Sequence, residues 1–77
     1  MTSAMGETRW LRVPVAEITY VKSIYEAYDG VCTVTSPSAA RGELLLWVAP
    51  GHEALADELE QRLAREAGLQ RLPSREP

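Results

Sequence analysis

The feature that most restricts what this chain can fold into is Leu44-Leu45-Leu46-Trp47-Val48-Ala49, six consecutive apolar residues between Glu43 and Pro50. A run this short, rich in strand-compatible side chains and stopped by proline, predicts a central strand rather than a helix. Strand side chains alternate, so Leu44, Leu46 and Val48 share one face and Leu45, Trp47 and Ala49 the other. Both faces are apolar, yet a sheet in so small a protein normally has helices over only one of them. What covers the second face is the main functional question. A competing arrangement turns Trp47 into the core and Leu46 outward, because a one-residue reversal exchanges the faces.

The chain on either side supplies this strand with partners. Thr8 to Val13 alternates as a first strand, with Leu11 and Val13 on one side and Trp10 and Arg12 on the other. Beyond Pro14 the period changes. Ile18, Val21, Ile24, Tyr25 and Tyr28 recur three and four apart, predicting a helix over 16–29 with Glu17 in its first turn, stopped by Asp29-Gly30. Lys22 and Glu26 are spaced to pair on its solvent side. The β-branched run from Val31 to Thr35 predicts a second strand, and residues 36–42 join it to the apolar run as an antiparallel hairpin. After Pro50-Gly51, Leu55, Leu59 and Leu63, widened by Ala56 and Ala67, mark a second helix over 52–67 that Gly68 ends. Leu69 to Leu72 forms a short edge strand or simply packs down.

The expected architecture is α+β, a ferredoxin-like βαββα(β) two-layer sandwich. Two helices cover one face of a mainly antiparallel sheet whose last strand is short or absent. Residues 1–7 read as a flexible arm, 8–72 as the single domain and 73–77 as a flexible tail.

Charge and cysteine content narrow the classes of partner. Eleven acidic and 8 basic side chains give a net charge of -3, which provides no general attraction to DNA or to an anionic membrane. The lone Cys32 excludes an internal disulfide. Met1 to Thr8 lacks a basic leader, and no apolar run approaches the roughly 20 residues of a membrane span, so the expected location is cytoplasmic. A chain of 77 residues buries roughly 60% of its unfolded surface, and pairing with a second copy would widen that small margin.

Catalytic chemistry has little to stand on. His52 follows Pro50-Gly51 with no nucleophile or orienting carboxylate placed beside it, and reads as an exposed helix-start residue rather than a general base. Cys32 reads as a small buried hydrophobe rather than a nucleophile. Tyr25 completes the short set of residues to inspect for reactivity. One cysteine and one histidine fall short of a structural zinc set. Glu53, Asp57, Glu58 and Glu60 read as a solvated helix surface without the loop of a calcium site, and the glycines form no phosphate or dinucleotide fingerprint. The expectation is a non-enzymatic protein with no cofactor and no bound metal.

The candidate interface is Trp10, Leu45 and Trp47, which share the face opposite Leu11, Leu44 and Leu46. Two tryptophans on an open sheet are also what single-stranded RNA stacks upon. Here, however, the third strand carries Glu43 and no Lys or Arg, leaving Arg12, with Arg9 as a second candidate, to meet phosphate. A protein partner, first of all a second copy, needs no such neutralisation.

Taken in order, Val13-Pro14, the helix from Glu17-Ile18 through Ile24-Tyr25-Glu26-Ala27-Tyr28, Asp29-Gly30, Val31-Cys32-Thr33-Val34 and Arg41-Gly42 before Leu44 to Pro50 form a composite pattern. That pattern, spanning most of Arg9 to Leu63, resembles a bacterial family of uncharacterised small proteins, the domain of unknown function numbered 4911. The family is similar in build to amino-acid-binding ACT domains. The resemblance implies an ACT-like fold, pairing between copies, and a small-ligand site at the first strand-to-helix turn, here Val13, Pro14, Val15 and Glu17.

Overall fold

The computed structural model describes residues 6–73. Eight elements follow one another in the expected order. Strand β1 (Glu7–Arg12) leads through a 3-10 turn (Val15–Glu17) into helix α1 (Ile18–Glu26). Strand β2 (Cys32–Ser38), a second 3-10 turn (Ala39–Arg41) and strand β3 (Glu43–Val48) follow. Helix α2 (Glu53–Ala67) and a two-residue strand β4 (Gln70–Arg71) complete the chain. The sheet has the order β2-β3-β1-β4 with every neighbouring pair antiparallel. That is a ferredoxin-like plait, with the apolar run as an inner strand between β1 and β2.

The facing of β3 is settled by burial. Leu44, Leu46 and Val48 are completely buried, whereas Trp47 is 38% exposed. They join Leu11 and Val13, Cys32 and Val34, Val21 and Tyr25 of α1, and Ala56, Leu59, Leu63 and Ala67 of α2 in one cluster. Both helices therefore pack on the same side of the sheet, each through the stripe its periodicity marks. Ile18, Ile24, Tyr28 and Leu55 line the edge of this core, half-buried.

Several boundaries differ from expectation for local reasons. The first helix is shorter than 16–29, because Pro14 opens a 3-10 turn in which the Glu17 N–H donates to the Pro14 carbonyl at 2.8 Å. At its other end the Ala27 N–H is shared between the Ser23 and Ile24 carbonyls, both at 3.2 Å, which tightens the last turn. Strand β2 runs through Pro37 to Ser38, and a register shift between Thr35 and Ser38 accommodates the proline on this edge strand. Gly42 closes the hairpin at φ 71°, where a side chain would collide with the Val13 carbonyl oxygen. The Val13 N–H donates to the Gly42 carbonyl at 2.9 Å, tying the exit of β1 to this turn. Of the arm expected over 1–7, residues 1–5 lie outside the described residues, and Glu7 already begins β1. The tail expected over 73–77 lies outside them from residue 74 on.

The acids of α2 are more than a solvated surface. Arg9 shares the helix-facing side of β1 with Leu11 and is 5% exposed. Its guanidinium meets Glu7 at 2.7 Å, Asp57 at 2.9 Å and Glu60 at 3.0 Å. Arg71 of β4 reaches the same Glu60 at 2.8 Å, so the two arginines fasten α2 to one half of the sheet. The expected Lys22–Glu26 pair does not form; the helical pair present is Arg62–Glu66 at 3.1 Å.

Candidate functional site

Register places the open-face residues in rows. Trp47 lies opposite Thr8 on one side and Thr33 on the other; Leu45 lies opposite Trp10 and Thr35; Glu43 lies opposite Arg12. Trp10 and Leu45 are half-buried neighbours, and Trp47 sits one row away beside exposed threonines. The three candidate interface residues thus occupy two adjacent strands on the face turned away from both helices. Gly6 lies against this patch: a Cβ at Gly6 would stand 2.6 Å from the Trp47 indole Nε1.

The charges on this face balance. Glu43 is 3% exposed although it points away from the helical layer, and the Arg12 Nη2 donates to its carboxylate at 3.1 Å. Arg9, the other basic residue considered for phosphate, is buried under α2 and held by three acids. Periodicity alone puts Arg9 on the face of Leu11. Only the fold reveals the Asp57 and Glu60 that receive it.

The candidate ligand turn stands at the end of the sheet. Val13 is 2% exposed and Val15 57% exposed. Val13, Pro14 and Val15 line an open groove of about 390 Å³ together with Arg12, Arg41, Gly68 and Gln70. Glu17 does not line it. Arg41 comes from the β2–β3 hairpin and Gly68 and Gln70 from the α2–β4 junction, so no local pattern in the sequence marks them as neighbours of the turn.

The residues singled out for reactivity are placed differently. Cys32 is buried, its thiol 3.8 Å from the Tyr25 carbonyl, and burial raises its pKa, which keeps the less nucleophilic thiol form. His52 is exposed at the N-terminal boundary of α2, where its carbonyl accepts from the Ala56 N–H at 3.0 Å. Tyr25 is fully buried, and its hydroxyl has no hydrogen-bond partner among the described residues. Burial first, and the charge of Glu60 second, raise its pKa above the ordinary tyrosine range. Among the described residues no group of three or more His, Cys, Asp or Glu is arranged to hold a metal ion. Nor, among them, is any helix long and apolar enough to cross a membrane.

A family model for a domain of unknown function, DUF4911, matches residues 11–66. No curated protein and no solved structure matches the chain.

Proposed function

The chain belongs to the DUF4911 family, and from its geometry we propose that it is a non-enzymatic interaction domain that pairs with a second copy of itself through the open sheet face. The observation that carries this reading is the placement of Trp10, Leu45 and Trp47 together on the face away from the helices. Covering such a patch gains about 25 cal/mol for each Å² of apolar surface removed from water. The molecule is a slab of 34 × 30 × 18 Å, and its broad face has room for the roughly 800 Å² per partner of a standard interface. The Arg12–Glu43 pair supplies one charge of each sign, which a two-fold axis matches to itself. Such balance favours a protein over RNA, whose phosphates would require the cation that Arg9 has committed to α2.

Replacing Trp47 with Glu tests the reading. The expected result is a monomer with unchanged far-ultraviolet circular dichroism and a cooperative melt. A variant that remains paired, or one that unfolds, would contradict the assignment of Trp47 to the interface.

A second reading, sensing of a small amino-acid-type ligand, is favoured by the groove at Val13, Pro14 and Val15. Chemical-shift perturbation with a panel of amino acids tests it, and silence across the panel would count against it.

A further inference from the structure

The groove where β1 leaves the sheet has a charge character that the chain as a whole lacks. The net charge is -3, yet among the described residues the charged ones lining the groove are Arg12 and Arg41, with no carboxylate among them. Arg41 makes no ion pair among the described residues. It ends the 3-10 turn of Ala39–Arg41, whose backbone is held by the Gly42 N–H donating to the Ala39 carbonyl at 3.0 Å and by the Gly42 carbonyl accepting from Val13 at 2.9 Å. Arg12 commits Nη2 to Glu43. Its Nε and Nη1 still have donors to offer, because a guanidinium carries five N–H groups.

The same groove is lined by the apolar Val13, Pro14 and Val15 and by Gln70. The volume of about 390 Å³ falls within the roughly 300 to 1,000 Å³ usual for small-molecule sites. Guanidinium groups recognise planar and tetrahedral oxyanions through paired N–H donors, which an ammonium ligand could not use.

We propose that this groove binds a small organic oxyanion, its carboxylate or phosphate held between Arg12 and Arg41 and its apolar body resting on Val13, Pro14 and Val15. The proposal deepens the ligand-sensing reading by assigning the recognition to these two arginines. It is independent of pairing through the open face, so either can fail without the other.

Titration of the ¹⁵N-labelled chain at constant ionic strength tests it, using isovalerate, isoamylamine and inorganic phosphate as separate probes. Saturable shifts at the Val13, Val15 and Gln70 amides are expected with isovalerate or phosphate and not with isoamylamine. Tighter binding of isovalerate identifies a carboxylate ligand, and tighter binding of phosphate a phosphorylated one. Arg41 is the residue to replace, because Arg12 also holds Glu43. Arg41→Gln should weaken anion binding about tenfold, and Arg65→Gln on α2 should leave it unchanged. Overturning results are no saturable shift with either anion, an equal response to isoamylamine, or anion binding that survives Arg41→Gln undiminished.

Discussion

At the scale of single residues, Tyr25 shows burial and polarity in direct opposition. Its ring belongs to the core cluster, while its hydroxyl has no partner among the described residues. The folded state holds the phenol neutral, whereas the unfolded chain releases the proton near pH 10, at about the unperturbed value. The raised pKa therefore gives a contribution to stability that is fully present below about pH 10 and is lost as pH rises beyond it. Tyr25→Phe keeps the ring and removes the orphaned hydroxyl, so a gain of about 1 kcal/mol at neutral pH and a flatter alkaline decline are expected from urea unfolding. A clear loss of stability would reveal a partner for that hydroxyl. Arg9 presents the opposite case, a buried charge with three acids around it. Arg9→Met retains the stem and removes the guanidinium, and should cost about 2 kcal/mol in the same measurement, since the largely buried Glu60 is then left with Arg71 as its one basic partner among the described residues. Such ties were invisible in the sequence because Arg9 and Glu60 are 51 residues apart, and alternation predicts a facing but not a partner.

At the scale of elements, the third strand was legible as a strand but not in its orientation. Six apolar residues leave either face suited to a core, and the choice was made by β1, whose Leu11 lies opposite Leu44 and whose Trp10 lies opposite Leu45. The two faces should respond very differently to truncation. Leu46→Ala removes a completely buried side chain and should cost about 2 to 5 kcal/mol. Leu45→Ala on the open face should cost less than about 1 kcal/mol in the isolated subunit; denaturant curves under monomeric conditions compare the two directly. The helices were legible from their stripes, and the shorter α1 reflects the 3-10 turn that Pro14 opens. The strand through Pro37 was not legible, because an edge position and a register shift suspend the usual exclusion of proline. The end groove was the least legible feature. Its floor was named as the candidate ligand turn, but Arg41 and Gln70 arrive from a hairpin and from a two-residue strand.

At the scale of the whole molecule, both helices lie on one side of the sheet, and the apolar residues of the other side, Trp10, Leu45 and Trp47, lie away from them. The helical side is complete: one core runs from β2 through β3 and β1 to α1 and α2, and Arg9 and Arg71 fasten the outer margin to α2. The other side presents two tryptophans and a leucine with balanced charge on a slab only 18 Å thick. For a domain of this size, the proposed pairing of those faces would give this side a second apolar layer. Sedimentation equilibrium of the unmodified chain across a wide concentration range tests this central claim most directly. Pairing through this face predicts a reversible transition to twice the monomer mass, and a single monomer mass at every concentration would contradict it.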